Sequence, residues 1–190
     1  MERVYIEEQT FQNININQEP LQKGEYETCT FNNCDFSEAD ISEIIFIDCE
    51  FNNCNLSMTN ISQTAFQNIR FKDCKMLGLH FEDCNDFGLS VEFENCMLDQ
   101  SVFYQMKLKN TKFKNSQLNE VDLAECDLTK AVFDNCDLKG AILDNTILEN
   151  TDFRTAYNFS IDPDNNKIKK TRFSQAGLSG LLNKYDIIID

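Results

Sequence analysis

The sequence predicts an all-β repeat coil, and three observations carry that prediction. Large apolar residues recur every five positions, mostly small residues stand two positions before them, and phenylalanines recur every twenty.

The five-residue series is taken first. From Phe11 it runs through Ile16, Leu21, Tyr26, Phe31, Phe36, Ile41 and Phe46 to Phe81, and a second series runs from Phe93 to Phe153, both without exception. A period of five matches neither the 3.6 of a helix nor the 2 of a strand, so the backbone must turn by a fixed amount every five residues. Residues two apart in an extended segment point to the same side. The positions two before the centres hold Cys34, Cys54, Thr59, Thr64, Cys74, Cys96, Ser101, Cys126 and Cys136 among others. Each pentad therefore sends one small and one large side chain inward and its polar residues outward and to the turn.

The twenty-residue recurrence defines a coil. Phe11, Phe31, Phe51, Phe71, Phe93, Phe113, Phe133 and Phe153 form a column on one wall, with Phe173 in step. Their turns carry Asn13, Asn33, Asn53, Asp73, Asn95, Asn115 and Asn135, amides able to bond one another up a ladder. The next wall holds Ile16, Phe36, Leu56, Met76, Leu98, Leu118 and Leu138. The frame shifts by two between Phe81 and Phe93. With Phe87 as the missing centre, residues 84–90 read as one pentad with two single-residue bulges, and Gly88 fits the irregular backbone.

Blocks such as Ala39-Asp-Ile-Ser-Glu43, Cys126-Asp-Leu-Thr-Lys130 and Cys136-Asp-Leu-Lys-Gly140 resemble the A-(D/N)-L-x-x unit of the pentapeptide-repeat family. The resemblance covers roughly residues 11–155. It implies a right-handed quadrilateral β-helix of four pentads per coil. At about 4.8 Å per coil the rod is about 35–40 Å long.

The ends read differently. Residues 1–10 are expected to give an N-terminal capping strand around Val4-Tyr-Ile6, and residues 156–190 a C-terminal cap. Pro163 and its turn-rich surroundings break the pattern. Ser174 to Leu182 reads as a short helix with a Ser cap, about 174–183, followed by a strand or extended tail from Tyr185 to Ile189. Leu178, Leu181, Leu182, Tyr185, Ile187 and Ile188, with Ile189, are many apolar residues for a free tail. They plug the last coil, or they form a homodimer interface as in the Qnr and MfpA relatives, which end in a similar cap; plug and dimer together are the favoured reading.

Composition limits the function. A formal net charge of −15 argues against direct nucleic-acid binding, which needs a basic footprint. No apolar run approaches the roughly 20 residues of a membrane span, and no signal peptide is seen, so a cytoplasmic location is expected. Nine cysteines, an odd number, fit reduced thiols there. Cys34, Cys54, Cys74, Cys96, Ser116 and Cys136 form one stack. Serine replaces a packed thiol but not a thiolate ligand, so the sulfurs are expected to be buried, reduced and unligated. His80 precedes Phe81 and faces outward, and no cysteine has a histidine placed to activate it. The nearest cysteines are five apart rather than in a C-x₂₋₄-C spacing. No catalytic residue, cofactor or metal is expected.

Charge is uneven along the chain. Residues 1–90 carry 16 acids and 5 bases, and residues 91–190 carry 16 and 12. Lys107, Lys109, Lys112 and Lys114 make a local basic patch read as solvated surface. Asp35, Asp40, Glu50, Asp122, Asp127, Asp137, Asp144, Glu149 and Asp152 point outward as candidate partner-facing acids. Acidity and resemblance together suggest a non-enzymatic, Qnr/MfpA-like protein that binds a type II topoisomerase, DNA gyrase or topoisomerase IV, by mimicking DNA, and protects it from quinolones. The alternative is a protein-interaction scaffold with another partner, its acids keeping the rod soluble.

Overall fold

A computed structural model describes residues 3–185 and 187–188. The chain forms a quadrilateral β-helix. Its first wall is a nine-stranded parallel sheet of Thr10–Gln12, Thr30–Asn32, Glu50–Asn52, Ile69–Lys72, Val91–Glu94, Lys112–Lys114, Val132–Asp134, Asp152–Phe153 and Arg172–Phe173. The fourth wall begins as a four-stranded parallel sheet of Val4–Glu7, Gly24–Glu27, Ile45–Ile47 and Ala65–Gln67. Single parallel bridges, such as Asp35↔Asn55 and Asp122↔Ile142, link successive coils elsewhere.

Most turns are made by one residue in the left-handed region. Asn33, Glu38, Glu43, Asp48, Asn53, Met58 and Gln63 have φ between 52° and 60°, at steps of five. This conformation crowds the Cβ of an L-residue and is cheapest for Gly, Asn and Asp. Asn therefore dominates on the first wall. The amides bond from Asn53 to Asn33 at 2.6 Å. A second run links Asn95 to Asp73, Asn115 to Asn95, and Asn135 to Asn115 at 2.8–3.2 Å.

The column of phenylalanines fills the interior. Phe31 and Phe51 stack at 4.7 Å, and Phe113 and Phe133 at 4.8 Å. Ring spacing thus matches the spacing of paired strands. The small inward position has a second role. Thr59 Oγ1 donates to the Phe36 carbonyl one coil earlier at 2.8 Å, while Ala39 N–H takes the other lone pair. Thr64, Ser101, Thr146 and Thr151 donate to Ile41, Met76, Leu123 and Leu128 in the same way.

Several expectations are corrected. Phe87 is not an inward centre: it is 79% exposed. The pairing offset changes from 20 at Ala65↔Asn85 to 22 at Ile69↔Val91. The two extra residues are taken up by a turn in which Phe87 N–H donates to Asn85 Oδ1 and Gly88 adopts φ +72°. Leu89 packs against the core instead. The ladder also continues past residue 155, through Ile147↔Lys167 and Phe153↔Phe173. There Asn158 takes the turn conformation and Phe159 turns inward, so the wall stays filled. Val4–Glu7 is a paired strand of the first coil, in register with Gly24–Glu27. The C-terminal helix is two short 3₁₀ segments, Ala176–Leu181 and Asn183–Tyr185, fitting a run with two glycines. Ser174 Oγ does accept the Gly177 N–H, at 3.1 Å. Ile187 and Ile188 have no regular structure, and Ile189 lies outside the described residues.

Candidate functional site

Where the outward residue just before a centre is Asp or Asn, it commonly bonds across the coming turn. Asp35, Asp40, Asp122, Asp127, Asp137 and Asp152 each accept the backbone N–H two residues on, at 2.9–3.2 Å. Asn15, Asn55 and Asn60 make the same bond. At these coils the turn uses a side-chain acceptor, which Asn supplies as well as Asp, so the negative charge is an addition to the bond; elsewhere Lys107, Val102 or Ile142 stands at the same position without it. Ser42, through its hydroxyl and N–H, lowers the Asp40 pKa, and Arg154 does the same for Asp152.

The nine candidate acids do not share a wall. Glu50 and Asp152 lie on the first, where charges alternate. Arg70 bonds Glu50 at 3.0 Å, and Lys112 and Lys114 pair with Glu92 and Glu94 at 2.7 and 2.8 Å. Asp35 and Asp137 lie on the second wall and Asp127 and Glu149 on the fourth, where Lys109 meets Asp127 at 3.0 Å. The expected lysine patch is accordingly split between two walls.

Asp40, Asp122 and Asp144 fall on the third wall, whose inward centres are Ile41, Ile61, Phe81, Phe103, Leu123 and Leu143. With them stand Glu43, Glu82, Asp83 and Glu125, which the sequence reading did not single out. Asp162 and Asp164 extend the series, though Lys184 binds both. Lys23 pairs with Glu43 at 2.8 Å, and exposed His80 places Nδ1 2.8 Å from Glu82 Oε1. From Asp40 to Asp144 this wall carries about one carboxylate per 3–4 Å, against one phosphate per about 1.7 Å of duplex DNA. Sorting acids by position within the twenty-residue coil, with the two-residue shift applied, would have found this wall.

All nine cysteines are free and buried. Burial pushes Cys49, Cys84, Cys126 and Cys136 up to about 12. Among the described residues, no group of three or more His, Cys, Asp and Glu side chains is placed to hold a metal. A hollow of about 680 Å³ lies between the last coil and the C-terminal segment, lined in part by Lys139, Tyr157, Phe159, Ser179 and Asn183.

The C-terminal segment divides its apolar residues. Leu181 packs against the core. Leu178, Leu182, Tyr185, Ile187 and Ile188 are exposed, Ile188 at 91%. Phe159 anchors the segment: Ile161 N–H donates to the Gly180 carbonyl at 2.9 Å, and a Cβ on Gly180 would sit 2.4 Å from the Phe159 oxygen.

The model of the pentapeptide repeat region matches residues 25–86 and 89–157. The chain belongs to the pentapeptide-repeat family. The break in the match falls on the exposed turn at Phe87 and Gly88. Among solved structures, full-length QnrB1, a plasmid-mediated fluoroquinolone resistance protein, is similar with a TM-score of 0.56 and 15% identity, over 95% of this chain and 99% of that one. HetL, a pentapeptide repeat protein involved in heterocyst differentiation regulation from the cyanobacterium Nostoc, aligns at a TM-score of 0.33 and 13% identity, over 88% and 86%. At 15% identity the likeness to QnrB1 is one of fold. No curated protein sequence matches the chain. Among the described residues, no helix of this pentapeptide-repeat chain is long and apolar enough to cross a membrane.

Proposed function

We propose that this pentapeptide-repeat protein is a non-enzymatic binding rod. Its third wall docks in a basic, DNA-shaped groove of a type II topoisomerase, DNA gyrase or topoisomerase IV, in the cytoplasm. The observation that carries the reading is the concentration of acids from Asp40 to Asp144 on one wall, where asparagine would serve the turn bonds of Asp40 and Asp122 as well. A linear charge density within a factor of about two of duplex DNA gives steering toward a cationic groove. QnrB1, of the same fold, is described as a fluoroquinolone resistance protein, which makes quinolone protection the first activity to test. The exposed Leu178, Leu182, Tyr185, Ile187 and Ile188 would pair two copies end to end, doubling the rod.

The test is gyrase supercoiling with and without ciprofloxacin, titrated with this protein. Inhibition or protection at micromolar protein is expected. Neither effect, with native protein confirmed folded, would sink the reading. The mixed charges of the first wall favour a second reading, a scaffold for an unrelated protein partner. A lysate pull-down that captures another protein but no topoisomerase subunit supports it.

A further inference from the structure

The charge imbalance between the halves of the chain is concentrated on the fourth wall. Its outward columns run Tyr5–Glu25–Ile45–Ala65–Asn85 and Glu7–Glu27–Ile47–Gln67, then Lys107–Asp127–Ile147–Lys167 beyond the extra turn. Near the N-terminal end it presents Glu7, Glu8, Glu25, Glu27 and Asp48. Lys23, on the adjoining corner, is paired with Glu43, and Arg3 lines a hollow with Glu43 and Ile45. Near the C-terminal end the wall presents Lys107, Lys109, Lys130, Lys167, Lys169 and Lys170, against Asp127 and Glu149. Between the two stretches lie the half-buried Ile45 and Ile47 and the 79% exposed ring of Phe87, with exposed Asp86 beside it.

The order acidic, apolar, basic is self-complementary in one orientation only. The row holding Phe87 has four rows before it and four after. A second copy turned end for end about an axis at Phe87 sets Glu7 and Glu8 against Lys167, Lys169 and Lys170, and Asp48 against Lys130, twice; the like-charged meetings are Glu27 with Glu149 and the exposed Asp86 beside the axis. A parallel copy sets like charges together. We infer that the fourth wall is a self-association surface whose occupant is a second, antiparallel copy of this chain, with the two Phe87 rings at the twofold axis. A wall about 38 Å long and one short strand wide covers about 500 Å² per copy, which is the size of a weak, concentration-dependent contact. The third wall and the C-terminal segment stay free in this arrangement.

Oxidative cross-linking tests it. All native cysteines are buried, so Phe87→Cys adds an exposed thiol. An end-to-end dimer through the C-terminal segment would hold the two positions about 40 Å apart and give no cross-link. Phe87→Cys is expected to form disulfide-linked dimers at least about tenfold faster than Gln18→Cys, an exposed control on another wall. The rate should fall about tenfold in about 1 M salt, where screening acts within about 3 Å. Adding Lys167→Glu, Lys169→Glu and Lys170→Glu should slow it similarly, and adding Glu7→Lys and Glu8→Lys to that variant should restore it. Phe87→Cys reacting no faster than the control overturns the proposal. So does a fast reaction indifferent to salt and to charge reversal.

Discussion

The thiol of Cys54 donates to the carbonyl oxygen of Phe31, 3.3 Å away and one coil earlier. Cys74 does the same to Phe51 at 3.2 Å and Cys96 to Phe71 at 3.4 Å. At the next rung Ser116 Oγ donates to Lys114 O and accepts the Cys96 N–H. The position is therefore a slot for a small donor. Cys74→Ser is expected to change stability by less than about 1 kcal/mol, Cys74→Ala to cost about 1–2, and Cys74→Leu more, by overpacking. Urea unfolding checks the order, and Leu tolerated as well as Ser contradicts it.

Burial holds Cys49, Cys84, Cys126 and Cys136 protonated up to about 12, above the ordinary thiol value of 9.0. The unfolded chain releases these protons first as pH rises. Stability from this source is complete below pH about 9 and lost toward pH about 12. The urea midpoint should fall across that window, and a flat midpoint would falsify the burial argument. A thiol reagent at pH 8 should label the native protein slowly and all sites after unfolding.

The turn bond from Asp122 to the Ala124 N–H is made elsewhere by asparagine. Asp122→Asn should leave stability within about 0.5 kcal/mol, whereas Asp122→Ala should cost about 1. Combining Asp40→Asn, Glu82→Gln, Asp122→Asn and Asp144→Asn removes charge from the third wall while keeping the coil. That variant should lose topoisomerase inhibition without losing thermal stability. Retained inhibition would point to another wall.

Gly180 meets Phe159 too closely for a side chain, with a Cβ 2.4 Å from a backbone oxygen. Gly180→Ala should loosen the C-terminal segment at a cost of about 1–3 kcal/mol. Hydrogen exchange should rise after residue 174 and stay unchanged around Phe51. Uniform protection in the variant would show that the segment does not rest on this contact.

Gln63 and Met58 hold φ of 59° and 57° with ordinary side chains. Gln63→Asn and Met58→Asn should each stabilise by a few tenths to about 1 kcal/mol, by relieving the left-handed strain. Thermal unfolding of each variant reads the gain. A loss at both sites would mean that side-chain contacts outweigh the turn.

The fold was legible because a five-residue repeat states one local rule many times. The inward centres from Phe31 to Phe153, the small partner position and the asparagine turns all follow from composition at fixed spacing. The rule fails where spacing changes. Phe87 looks like a centre by chemistry, yet Gly88 and two extra residues send it outward. Phe159 looks out of register, yet it becomes the anchor of the C-terminal segment. The sequence also revealed that the outward positions are acidic, but not that these acids sort onto different walls. That sorting depends on summing twenty-residue steps through an insertion, and on which cations reach which carboxylates. Arg70 neutralises Glu50 across one coil, while Lys23 reaches Glu43 rather than Asp40. By itself the sequence determined the coil and its interior, because packing repeats are local. Only the tertiary structure decided which surface is acidic, which is charge-paired and which is self-complementary, because those properties belong to neighbours brought together from different coils.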